Sequence, residues 1–86
     1  MFERRSIPRY LGFKLLKANK AYYPCDFYTQ QTLDKTLSLV EVKIVEPDKS
    51  EIIVVFNLVN GSWQLIEGKL PPDLEDVMIA QIQQYT

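Results

Sequence analysis

EIIVVFNLVNGSWQLIE, residues 51–67, holds two strand-like runs separated by Asn60 and Gly61, and how it is read decides the fold. The first run is rich in Ile, Val and Phe and apolar at both parities, as expected of a strand covered on two sides or flanked by two others. Asn60-Gly61 is the pair that best tolerates positive φ at both central positions of a type I′ turn, so residues 62–67 are expected to fold back antiparallel. A two-residue loop sets Val59 opposite Ser62, Leu58 opposite Trp63, Asn57 opposite Gln64 and Phe56 opposite Leu65. In that register Val54, Phe56, Leu58, Trp63 and Leu65 share one face.

Upstream, residues 39–46 alternate, with Val40, Val42 and Ile44 on one side and Glu41 and Lys43 on the other. A four-residue loop over 47–50 would set the two charges beside Phe56, a costly burial if they are unpaired. A loop of three or five residues shifts the pairing by one and brings Val40, Val42 and Ile44 to Phe56 instead. The odd-length loop is therefore expected, with a bulge near 48–50.

Downstream, Leu70-Pro71-Pro72-Asp73 leaves the sheet. Asp73 is a good N-cap, and Glu75 and Asp76 fall in the first turn, where amides need acceptors, so the acidic triplet reads as a cap rather than a site. Leu74, Met78, Ile82 and Tyr85 recur at helical spacing, widened by Val77 and Ile79, with Gln81, Gln83 and Gln84 mostly outside. This helix is expected to lie across the face carrying Phe56 and Trp63.

The N-terminal third is less decisive. Residues 1–5 read as a loose leader. Ser6 caps and Pro8 opens an expected helix over 9–20, where Leu11, Leu15 and Ala18 recur at helical spacing and Lys14, Lys17 and Lys20 fall largely on other faces. Gly12 costs such a helix about 1 kcal/mol, and a strand beginning at Phe13 is the alternative. AYYPCDFY, residues 21–28, is an edge strand or an ordered loop, because Pro24 argues against a central strand. Cys25, beside Asp26, reads as a buried, inert thiol. Residues 29–36 form a short helix or a loop feeding the next strand.

Composition narrows the chemistry. Eighty-six residues with 47% apolar and 24% charged side chains suit one small ordered domain. There is no histidine and a single cysteine, which removes the commonest general base, the Ser-His and Cys-His nucleophile pairs and any structural zinc site. No glycine-rich phosphate loop, metal-ligand spacing or repeat is present. The expectation is a non-enzyme without cofactor or metal. No apolar run is long enough for a membrane span, the basic start lacks a signal-peptide core, and a lone cysteine suits a reducing compartment, so a cytoplasmic location is expected.

Arg5-Ser6-Ile7-Pro8-Arg9 has the Arg-x-x-x-Arg spacing, and ERRSIPRY around it resembles the opening of PilZ cyclic-di-GMP-binding domains. The resemblance covers residues 3–10 alone. The second motif of that family, Asp or Asn followed by x-Ser-x-x-Gly, is met only by Asn60-Gly61-Ser62, too far along the chain and with Leu65 in the glycine position. No family is assigned.

Together these readings give an α+β fold: an antiparallel three- or four-stranded meander, an N-terminal basic helix and a C-terminal amphipathic helix packed on one face. If both helices share that face, Val55, Val59 and Ile66 form an apolar patch on the other. The expected function is a protein-protein interaction module, a homodimer or an adaptor subunit, working through the second sheet face or a sheet edge. The alternative rests on charge. Residues 1–20 carry a net +5 and the remainder −6, so Arg4, Arg5, Arg9, Lys14, Lys17 and Lys20 are candidates for binding nucleic acid or another polyanion.

Overall fold

The computed structural model describes residues 8–30 and 38–85. Among these, strands β1 (Pro8–Ala18), β2 (Ala21–Gln30), β3 (Leu39–Val45), β4 (Glu51–Val59) and β5 (Ser62–Glu67) precede one helix, α1 (Pro72–Gln83). Spatial order follows chain order, β1-β2-β3-β4-β5, and every neighbouring pair is antiparallel. The α+β class is as expected, but the sheet has five strands rather than three or four.

The Asn60-Gly61 corner forms as its chemistry requires, with φ of 51° and 81°, and Val59 pairs with Ser62, Leu58 with Trp63 and Phe56 with Leu65. The loop between β3 and β4 has the expected odd length. Val45 pairs with Glu51, which leaves five residues outside the strands, and Val40 is brought to Phe56. Its tip is tighter still: the Lys49 amide donates to the Glu46 carbonyl at 2.7 Å, the Glu46 amide donates to the Ser50 carbonyl at 2.8 Å, and Lys49 takes φ of 72°. That is a three-residue loop closed by a left-handed residue, the bulged arrangement that suits strand twist.

The N-terminal basic helix expected over 9–20 is not formed; Arg9, Lys14 and Lys17 lie in β1 and Lys20 in the turn after it. Two features outweigh the helical spacing of Leu11, Leu15 and Ala18. Asn19 and Lys20 take φ of 53° and 63°, a second two-residue turn that sets Ala18 opposite Ala21. Pairing with β2 then buries Leu16 and Ala18 beside Tyr23, whereas a helix would leave β2 with a bare edge. β2 is consequently interior to the sheet despite Pro24. The β2–β3 ladder begins at Cys25, so the proline sits where β2 is paired with β1 alone. The leader over 1–5, Arg4 and Arg5 with it, and most of the 29–36 segment lie outside the described residues; Thr29 and Gln30 end β2.

One face of the sheet carries the core. Tyr23, Cys25 and Phe27 from β2, Val40, Val42 and Ile44 from β3, Val54 and Phe56 from β4 and Trp63 from β5 are buried with Leu74, Met78 and Ile82 of α1. The helix begins two residues earlier than an Asp73 cap implies. Pro72 occupies the first turn, Pro71 is the cap without a side-chain bond, and Asp73 and Glu75 act through the helix dipole instead. Beyond α1 the Tyr85 ring lies 5.5 Å from that of Phe27, and its hydroxyl stands over Gly12, 3.0 Å from where a Cβ would be.

Two substitutions test this backbone. Lys20→Gly relieves a left-handed lysine and creates the preferred Asn-Gly pair, so the urea midpoint is expected to rise, by about 0.5 kcal/mol in stability. Gly68→Ala should lose about 2 kcal/mol or more in the same assay, because Gly68 has φ of 90° and an added Cβ would meet Val54 Cγ1 at 2.7 Å.

Candidate functional site

A five-stranded sheet has two faces, and α1 covers one. The residues of the other face follow from the ladders. Across the strands run two adjacent rows, Phe13, Asp26, Lys43 and Ile53, then Tyr10, Tyr28, Glu41 and Val55. Leu15, Pro24 and Val45 continue the surface toward one end, and Tyr22 lies beyond them.

Six large apolar side chains are strongly exposed among the described residues: Tyr10, Phe13, Leu15, Tyr22, Ile53 and Ile66, all between 51% and 61%. The strand ladders and their registers assign all six to this open face. Tyr10 reaches it through an irregularity. The β1–β2 register shifts between Tyr10 and Gly12, so that Tyr10 falls on the same side as Phe13 despite opposite parity. A second shift, between Val55 and Phe56 in the β4–β5 ladder, sets Glu67 opposite Val55, and Ile66 keeps the open side by alternation with Ser62 and Gln64.

Polar contacts order the surface between these apolar groups. The Tyr10 hydroxyl donates to Asp26 Oδ1 at 2.8 Å, and the Tyr10 and Tyr28 rings tilt together with centroids 5.3 Å apart. That hydrogen bond, more than the partial burial and the nearby charge, raises the Tyr10 hydroxyl above its ordinary pKa of 10.0. Lys43 Nζ lies 3.5 Å from Glu51 Oε1, and Lys17 Nζ stands 5.6 Å from the centre of the Tyr22 ring. Among the described residues Glu41 has no ion pair.

Val55, Val59 and Ile66 all fall on the open face. Val55 and Val59 are half-buried by their neighbours, and only Ile66 is prominent. Tyr10, Phe13, Leu15, Tyr22 and Ile53 join them without having stood out in the sequence. Ile53 has the parity of Val55 and was legible from it, whereas Phe13 and Leu15 required β1 to be a strand.

The described basic residues do not converge. Arg9 is opposite Thr29 and Lys14 opposite Cys25, both on the helix side, while Lys17 is opposite Tyr22 on the open side and Lys20 sits in the turn. Alternation along a strand separates charges that a helix would have spread over adjoining faces. Lys14 and Leu16 line an open groove against Val77, Gln81 and Tyr85. No group of three or more metal-ligating side chains occurs among the described residues, and none of the helices there is long and apolar enough to cross a membrane. Comparison with known protein families, with characterised proteins and with solved structures gives no match, so the surface is read from its own geometry.

Cys25 is fully buried beneath the opposite face, its thiol donating to the Tyr23 carbonyl at 3.2 Å. Burial, and secondarily the charge of Asp26, push it from an ordinary 9.0 up to about 12. The folded chain therefore holds this proton to higher pH than the unfolded chain does. Its stabilising effect is complete below pH 9 and is lost as pH climbs toward 12, with a slope of up to about 1.4 kcal/mol per pH unit. Urea unfolding at about pH 8 and about pH 10.5 is expected to show a loss of about 2 kcal/mol in the native protein that Cys25→Ala does not share.

Proposed function

We propose that this protein is a non-enzymatic interaction module of the cytoplasm, and that another protein surface covers the open sheet face. The carrying observation is the segregation of all six strongly exposed large apolar side chains of the described residues onto one face of a sheet whose other face is covered by α1. Exposed large apolar side chains scattered singly need no partner, whereas several gathered on one face mark an interaction surface. The surface is also of the right kind. Aromatic and aliphatic groups sit among Asp26, Glu41, Lys43 and Glu51, the mixture of anchors and orienting polar groups that protein interfaces use. A cytoplasmic setting accords with the unpaired, buried thiol of Cys25.

A second reading, a nucleic-acid or polyanion binder, draws on the β1–β2 hairpin, where Arg9, Lys14, Lys17 and Lys20 face a single carboxylate, Asp26. It is the weaker reading, because those cations point to different sides of the sheet. Such binding would weaken steeply as salt rises, whereas apolar docking would not.

The interaction reading is tested by placing a photo-crosslinking residue at Ile53 on the open face, or at Asp76 on the outer side of α1, in the chain's own cells. Adducts are expected from position 53 and not from 76. A chain that gives no adduct at 53 does not use this surface.

A further inference from the structure

We infer that the occupant of the open face is a second copy of this chain, packed sheet to sheet about a two-fold axis that crosses the strands between Lys43 and Glu41. This rests on the open face being an interface and adds which surface covers it.

The central strand carries the argument. On the open side β3 offers one cation, Lys43, and one carboxylate, Glu41, two residues apart and both half-buried already. An apolar partner would bury both, and an unpaired buried charge is the most costly thing an interface can contain. A second copy supplies both complements. A two-fold axis between the two rows sets Lys43 over Glu41 of the second copy and Glu41 over its Lys43, so the ion pair forms twice. The ammonium group can hold Glu51 of its own chain at the same time, since it has three donors.

The same operation fits the apolar groups. Phe13 and Tyr10 occupy corresponding places in the two rows, as do Ile53 and Val55, so each meets the other across the axis. An axis along β3 instead would stack Lys43 on Lys43 and Glu41 on Glu41. Pairing through the β1 edge would leave Ile53 and Ile66 uncovered, and the irregularity between Tyr10 and Gly12 interrupts that edge.

The area is adequate. Five strands spaced at about 4.8 Å make a face roughly 24 Å wide, and strands of six to eleven residues at about 3.3 Å each make it roughly 28 Å long on average. That is about 670 Å² before side-chain relief is counted, approaching the roughly 800 Å² per partner of a standard stable interface.

The test is sedimentation of the full chain at tens of micromolar, where the expected mass is twice 10.0 kDa. Lys43→Glu and Glu41→Lys each place like charges across the axis, and each should raise the dissociation constant at least about tenfold. Mixing the two single variants should restore a heterodimer, because each then meets its opposite charge at both crossings. Circular dichroism matching the native protein establishes that the variants are folded, and the double exchange in one chain provides an independent check by dimerising with itself. A monomeric native chain overturns the second copy, as does a dimer indifferent to both reversals or a pair of variants that stay apart when mixed. Adducts at position 53 to a different protein would sink the self-pairing while leaving the interaction reading intact; no adduct at all would sink both.

Discussion

The burial of one helical stripe, Leu74, Met78 and Ile82, against Phe27, Phe56 and Trp63 is the interaction on which the rest of this structure depends. A meander of five strands has no reason to prefer one of its faces until something covers it. Each large apolar side chain transferred from water to such a core contributes about 1.5–3 kcal/mol, and the three helical residues are almost wholly inaccessible. Among the described residues one helix packs on a broad sheet, and there that stabilisation accrues on one side. The contrast between the sealed face and the open face follows from that asymmetry.

The backbone irregularities sharpen the contrast. Two-residue turns at Asn19-Lys20 and Asn60-Gly61, and a bulged loop at 47–49, set the registers that keep every buried residue on the helix side. The shift between Tyr10 and Gly12 does more than bend an edge. It moves Tyr10 into line with Tyr28 and Asp26, while Gly12 leaves room for the Tyr85 hydroxyl on the other side. One local feature thus helps close the core and enlarges the aromatic surface opposite it.

Chemically, the open face differs from the core by the regular insertion of charge. Asp26, Glu41, Lys43 and Glu51 lie among tyrosine, phenylalanine and isoleucine, and at least three of them are engaged in side-chain contacts or set across from an opposite charge. Such a surface tolerates water yet is apolar enough to be stabilised by removal from it. A binding surface of this kind needs no histidine, metal or cofactor, so a chain composed without histidine is not handicapped in this role.

By itself the sequence determined the β3–β4–β5 half of the fold, since its signals there are local: an Asn-Gly turn sets a register, and a strict alternation admits one loop parity. It also specified the helix, whose apolar stripe has an unambiguous period. The N-terminal hairpin was decided by tertiary structure. Leu11, Leu15 and Ala18 fit a helix as well as Phe13, Leu15 and Lys17 fit a strand, and only the long-range partner, β2, breaks that tie by hiding Leu16 and Ala18 and by pairing backbone groups that would otherwise be bare. The candidate surface inherits that division. Val55, Val59 and Ile66 were legible from register within one hairpin, whereas Tyr10, Phe13, Leu15 and Tyr22 joined them only once distant segments had paired, because which face a residue occupies depends on neighbours that local propensity does not see.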